Sequence, residues 1–250
     1  VSDKPAHKIR LDELVQRRTG FSRTKAQGLI RTGKVKTPDG NTLERPGHTV
    51  PADLDIVVEE APRFVSRGGN KLEAAMVQFD LNVSGHIAID VGASTGGFTD
   101  CLVQRGAAKV YAVDIGYGQL DWNLRQNPRV VVLERTNIRH LDPAQIPDRP
   151  TFFTADCSFI SLRLVFPAIK ALLAVPAQGV VLIKPQFEAG RELVPRGGVV
   201  RDAEVHAQVI ESVRESALAL GFSVAAVMQS PLEGPAGNKE FLAHLKMCLK

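Results

Sequence analysis

A chain of 250 residues, 44% of them apolar, is long enough to bury a full core and to divide into a larger and a smaller domain. Its 23% charged residues are ordinary for a soluble globular protein, and three scattered cysteines, Cys101, Cys157 and Cys248, exclude a disulfide framework. The net charge of +4 is uneven: between Lys8 and Lys36 nine Lys/Arg stand against Asp12 and Glu13, while the remainder carries 22 Lys/Arg against 25 Asp/Glu.

A basic module on a mildly acidic body points to an anionic partner that is held by the basic part; a solvated basic face is the competing reading. No Cys-x-x-Cys pair offers a zinc site, so no metal is expected. The cysteine usage fits a reducing, cytoplasmic location, and the residues after Val1 contain no apolar run of the signal-peptide kind. The most apolar window, 165–183, contains Pro167, Lys170, Pro176 and Gly179. It reads as helix, turn and buried strand, and no membrane association is expected.

In chain order, Arg10–Gln16 predicts a short helix with Leu11, Leu14 and Val15 inward. Ser22 stands as the N-cap of a second helix that Gly33 ends. KVKT, a PDGN turn, the pair Pro46–Gly47 and the alternating DIVVEE complete a small α+β unit over residues 1–60. Residues 61–70 read as a linker, and 71–250 as the larger domain. There KLEAAMVQFDL is an amphipathic helix, followed by α/β alternation with strands at HIAIDVG, KVYAVDI, VVVLERT, TFFTADC, GVVLIKP, SVAAVMQ and FLAHLKM. The last two strands are joined by a Pro/Gly loop and are expected to pair antiparallel at the sheet end.

The segment Asp90-Val-Gly92-Ala-Ser-Thr-Gly96-Gly97-Phe98 follows the first of these strands and opens a helix. It matches neither a dinucleotide fingerprint nor a phosphate loop. Glycines there allow close backbone approach to a ligand, and an acid before the first glycine suits a ligand with a positive amino group. Asp114, ending the next strand, can accept hydrogen bonds from two ribose hydroxyls. The competing reading is a structural turn plus a surface Asp. Together these features resemble the class I S-adenosylmethionine methyltransferases, a Rossmann-like fold with a seven-stranded, mostly parallel sheet. The resemblance implies Gly92, Ala93, Ser94, Thr95, Gly96, Gly97 and Phe98 around S-adenosyl-L-methionine, Asp114 on its ribose, Asn137 and Ile138 beside the adenine, and Asp156 at the same rim.

Lys71, Asp156, Lys184 and Glu240 fall at positions that converge on one rim of such a sheet. A lysine at a buried strand end needs a partner, so a purely structural ion pair of Lys184 with Asp156 or Glu240 is the alternative to a catalytic role. A ribose hydroxyl attacking a sulfonium methyl needs no metal. Lys184 could serve as base if burial and a second cation keep it neutral, or as a cation steadying the developing oxyanion.

The set Lys71, Asp156, Lys184, Glu240 resembles the Lys-Asp-Lys-Glu tetrad of FtsJ-type ribose 2′-O-methyltransferases. The segment RLDELVQRRTGFSRTKAQGLIRTGKVKTPDG resembles an S4 RNA-binding domain. With FVSRGGNKLEAA, ADCSFISL and KPQFEAG, nearly the whole chain resembles the TlyA family, whose members are called hemolysins but are implicated in methylating cytidine 2′-hydroxyls of 16S and/or 23S ribosomal RNA. The resemblance implies ribosomal RNA or ribosomal subunits as partners, with RNA contacts from Arg10, Arg17, Arg18, Arg23, Lys25, Arg31, Lys34 and Arg67. Such contacts touch phosphates and read shape. The alternatives are a non-catalytic RNA-binding protein, a pore-forming hemolysin and a small-molecule methyltransferase.

Overall fold

A computed structural model of the chain describes residues 7–59 and 62–248. The chain divides into two compact units, with the division between Arg63 and Phe64.

The first unit contains β1 (Lys8–Arg10), α1 (Leu11–Thr19), α2 (Arg23–Arg31), β2 (Val35–Lys36), β3 (Thr49–Pro51) and β4 (Val57–Val58). β1 pairs antiparallel with β3, and β2 with β4. α1 runs one turn beyond the expected Gln16: Gly20, at φ 72, donates its N–H to the Gln16 carbonyl and ends the helix at Thr19. Ser22 is the N-cap of α2 and accepts from the Lys25 N–H, as its position implied. The DIVVEE strand shrinks to Val57–Val58, and its Glu60 lies outside the described residues. Ile9, Leu11, Leu14, Val15, Ala26, Leu29, Ile30, Val35 and Val50 form the small core.

The second unit begins with α3 (Arg67–Gln78), continues with β5 (Ile87–Val91), α4 (Gly97–Gln104), β6 (Lys109–Val113), α5 (Trp122–Arg125), β7 (Val130–Leu133) and β8 (Phe152–Ala155), and ends with α6 (Leu162–Leu172), β9 (Ala177–Ile183), α7 (Pro185–Glu188), α8 (Ala203–Ala219), β10 (Ser223–Gln229) and β11 (Phe241–Met247). All seven expected strands form one sheet, in the order β10-β11-β9-β8-β5-β6-β7. Five strands are parallel. β11 runs antiparallel to both β9 and β10, so it enters the sheet between them and leaves β10 at the edge.

The central strands β5, β6, β8 and β9 are buried on both faces, and the period of two sorts their side chains. Ile89, Tyr111, Phe153 and Val181 belong to one core cluster, and Ala88, Val110, Phe152 and Val180 to the other. The chain reverses its direction of travel across the sheet at β5, whose neighbours are β6 on one side and β8 on the other. A crevice opens beyond strand ends at such a point.

The span 61–70, expected as linker, is not all linker. α3 starts at Arg67, so Lys71 sits one turn inside the helix and not at its start. Gly68-Gly69 reads as a breaker, but Gly69 is there for packing: a Cβ on it would lie 2.3 Å from Phe64 Cγ.

Candidate active site

Gly92 follows β5 and Asp156 follows β8. The adjacent strand ends hold them side by side, with the Asp156 N–H donating to the Val91 carbonyl at 2.9 Å. Gly92 has φ 83, and a Cβ there would lie 2.4 Å from the Asp156 carbonyl oxygen. Only glycine meets both conditions cheaply. Asp114, just past β6, braces the same turn: Oδ2 accepts from the Ser94 N–H at 2.7 Å and Oδ1 from the Gly116 N–H at 2.6 Å.

These segments border a cavity of about 970 Å³. Gly92, Ser94, Asp114, Asn137, Ile138 and Asp156, all expected at the cofactor, line it. Thr136, Cys157, Ser158, Phe159, Leu164 and Phe187 also line it and carried no sequence assignment. ADCSFISL and KPQFEAG contain four of the six, so the signal lay in motifs already noticed for their resemblance. Burial pushes the Cys157 thiol up to about 12, with the Asp156 charge adding to the shift. It therefore stays a thiol beside the cavity, without nucleophilic character.

A second, smaller cavity shares Gly92, Ser94, Asp156 and Ser158 with the first. Its other walls include Lys71 from α3, Lys184 from the end of β9 and Glu240 from the start of β11. Ala93, Thr95, Gly97 and Phe98 line this smaller cavity, and Gly96 lines neither. Lys71 and Glu240, 169 residues apart, form a buried ion pair with Nζ 2.5 Å from Oε2. The Lys184 ammonium lies 2.5 Å from Asp156 Oδ1 and donates a hydrogen bond to Ser158 Oγ at 2.9 Å. Glu240 Oε1 is buried and accepts no hydrogen bond among the described residues, whereas Asp156 Oδ1 is engaged by the Lys184 ammonium. A buried acceptor in the state of Glu240 Oε1 awaits a donor.

Asp90 corrects one expectation. It is fully buried and lines neither cavity; its oxygens accept from the hydroxyls of Thr99 at 2.6 Å and Thr154 at 2.8 Å. Burial raises its carboxyl to about 6 against the pull of those hydrogen bonds. Asp90 ties the first turn of α4 to β8 beneath the loop; it does not face a ligand.

The basic residues of the first unit are less free than their count implies. Arg10 and Arg23 both bind Asp12. Arg17 pairs with Glu13, Arg18 lies 3.9 Å from Asp55, and Lys34 shares Glu59 with Lys36. Lys25 stands over the Phe21 ring, and Arg31 is exposed with no partner among the described residues. Arg67 belongs to the second unit and lines the smaller cavity. Among the described residues no cluster of His, Cys, Asp or Glu could hold a metal ion, and no helix is long and apolar enough to cross a membrane.

Residues 64–247 match the family described as FtsJ-like methyltransferase. The chain is 48% identical over 241 residues to YqxC of Bacillus subtilis, which is provisionally named an rRNA methyltransferase, covering 95% of this chain and 85% of that one. It is 46% identical over 244 residues to the 16S/23S rRNA (cytidine-2′-O)-methyltransferase TlyA of Mycobacterium tuberculosis, covering 96% and 91%. A solved structure from Streptococcus thermophilus, provisionally named a hemolysin, superposes with a TM-score of 0.74 at 43% identity, covering 97% and 90%. With that identity running through both units, and with the fold and cavity-lining residues described above, the chain belongs to the TlyA family of FtsJ-like methyltransferases.

Proposed function

We propose that this chain is an S-adenosylmethionine-dependent methyltransferase that modifies the ribose 2′-hydroxyl of cytidine in ribosomal RNA, with residues 1–60 acting as an S4-type module that holds the RNA. The observation that carries this reading is the convergence of Lys71, Asp156, Lys184 and Glu240 on a cavity that shares Gly92, Ser94, Asp156 and Ser158 with a larger one. The name of the Mycobacterium tuberculosis relative supplies the nucleoside and the RNA class.

The larger cavity suits the cofactor. About 970 Å³ is at the upper end of the roughly 300–1,000 Å³ usual for small-molecule sites. Asp114 uses one acceptor position on each oxygen for the Ser94 and Gly116 N–H groups, which leaves capacity for two ribose hydroxyls. Ile138, Leu164 and Val165 give an apolar wall against which an adenine can lie. When bound, S-adenosylmethionine supplies a methyl group already activated by its sulfonium.

What remains for the protein is to aim a ribose oxygen and to carry the charge that develops on it. Lys184 Nζ lies against Asp156 Oδ1 and Ser158 Oγ, a position from which it can steady the developing oxyanion. Asp156 is held by Lys184 at Oδ1 and lines both cavities, which puts its carboxylate where it can accept from the hydroxyl being methylated. Lys71 and Glu240 form the far wall, fixed by their own ion pair. Positioning of this kind supplies about 7–11 kcal/mol of the barrier reduction.

The test is methyl transfer from labelled cofactor to ribosomal subunits by Lys184→Ala, with RNA affinity measured in parallel. Lost transfer with retained RNA binding is expected. Transfer at the wild-type rate would overturn the assignment of the site.

A further inference from the structure

Asp12 is the only fully buried carboxylate among the described residues of the first unit, and its partners are unusual for a structural acid. Arg10 donates to it twice, Nε to Oδ1 and Nη2 to Oδ2, both at 2.9 Å. Arg23 Nε reaches Oδ2 at 3.2 Å, and Gln27 Nε2 reaches the same oxygen at 2.8 Å. One carboxylate at the start of α1 thus grips guanidiniums from β1 and α2. The hydrogen bond from Arg10, joined by those from Gln27 and Arg23, outweighs burial and holds the Asp12 carboxyl far below the usual range, so it stays ionised at any working pH.

The two arginines are not consumed by this contact. Their side chains are 46% and 59% exposed. Of the five N–H groups on each guanidinium, Arg10 spends two on Asp12 and Arg23 spends one. Three on Arg10 and four on Arg23 face no partner among the described residues. The guanidinium of Arg10 is also backed by Gly47, where a Cβ would touch Nη1 at 3.4 Å. Two forks with net charge +1 are therefore fixed side by side with their remaining donors exposed. A free arginine must lose side-chain entropy on gripping a phosphate; these two have lost much of it on folding.

We propose that Arg10, Asp12 and Arg23 form one preorganised phosphate-binding site for the RNA backbone, in which Asp12 is the positioning residue that builds the site through its negative charge. The inference rests on the RNA-holding role of the first unit. It predicts a sign that charge counting does not. Asp12→Asn makes the surface more positive, so a purely electrostatic surface would bind RNA more tightly. A built site would bind it more weakly.

The test measures binding of a fluorescein-labelled RNA hairpin to the full chain across a salt series, with circular dichroism to establish that each variant is folded. Asp12→Asn is expected to weaken binding about tenfold, the scale of one lost charge-assisted hydrogen-bond set, and to leave a shallower salt slope. In an Arg10→Ala/Arg23→Ala background the same substitution is expected to change nothing. Unchanged or tighter binding by folded Asp12→Asn overturns the proposal. Should that variant not fold, Arg10→Lys decides: it keeps the charge but loses the two-point grip, so wild-type affinity would overturn the proposal and a loss like that of Arg10→Ala would sustain it. If neither Arg10→Ala nor Arg23→Ala weakens binding, the proposed site fails; the RNA-holding reading of the first unit fails only if replacing Arg17, Arg18, Lys25, Arg31 and Lys34 as well leaves the affinity of the full chain unchanged.

Discussion

Replacing Gly92 with alanine strikes the point where the two cavities meet. The residue has φ 83, a left-handed conformation that costs a residue with a Cβ roughly 1–2 kcal/mol. The new methyl would stand 2.4 Å from the Asp156 carbonyl oxygen and 2.9 Å from its carbonyl carbon, both backbone atoms that cannot swing aside. Reaching ordinary contact near 3.4 Å requires β5 and β8 to separate at their ends by about 1 Å. Overpacking of that kind costs about 1–3 kcal/mol. The two contributions together come to about 2–5 kcal/mol of stability. The catalytic effect is larger, because the displaced residue is Asp156, the partner of Lys184. A shift of about 1 Å at a reacting group costs about 100-fold in rate. Chemical denaturation gives the first number, and single-turnover methyl transfer at saturating cofactor gives the second. A variant that unfolds at the wild-type denaturant midpoint, or turns over within about threefold of wild type, would refute the claim that this glycine holds the two strand ends together.

Other substitutions separate the roles of the neighbouring groups. Lys71→Ala leaves Glu240, only 1% exposed, as an uncompensated buried charge, so unfolding free energy should drop by about 3–5 kcal/mol. Adding Glu240→Gln should recover much of that stability in the same denaturation assay without recovering methyl transfer. Asp114→Asn turns an NH2 donor toward the Ser94 or Gly116 N–H, where the carboxylate offers an acceptor. It should weaken S-adenosylmethionine binding by calorimetry about 10–100-fold, the worth of a hydrogen bond to a charged group. Asp90 has a sign that can be checked. Its carboxyl sits near 6 in the folded chain against an ordinary 3.8, so between those values the native state holds the proton and the unfolded state does not. Its contribution is fully present below about pH 4 and is lost as pH rises through about 6, a total of about 3 kcal/mol. Asp90→Asn should flatten that part of the stability profile; a slope unchanged from wild type would show that Asp90 is not the titrating group.

The sheet was legible because each strand is an apolar run bounded by polar or glycine residues, and a strand's last residue points to the rim where ligands bind. Asp114, Asp156 and Lys184 could be picked out on that ground alone. Lys71 and Glu240 could not: nothing local in NKLEAA or GNKEF marks either as facing the other across 169 residues. Only the expected topology, an antiparallel last strand and a helix leading into the first, put them at the common rim before the family resemblance, and their ion pair is a product of tertiary packing. Asp90 misled because an acid before a glycine turn has the same sequence whether it faces a ligand or two threonines from other elements. The start of α3 was obscured because Gly68-Gly69 signals a break, whereas Gly69 makes room for Phe64. In the first unit, the number of basic residues was plain but their pairing was not, since Asp12 and Glu59 reclaim four of the nine cations through folding.

The central claim is chemical: a methyl group delivered to a sugar oxygen. Ribosomal subunits lacking the modification should be incubated with the full chain and labelled S-adenosylmethionine, and the product RNA digested to nucleosides and resolved by mass spectrometry. The account predicts label in 2′-O-methylcytidine, absent when Lys184 is alanine. Label on a base, or equal labelling by that variant, would contradict it.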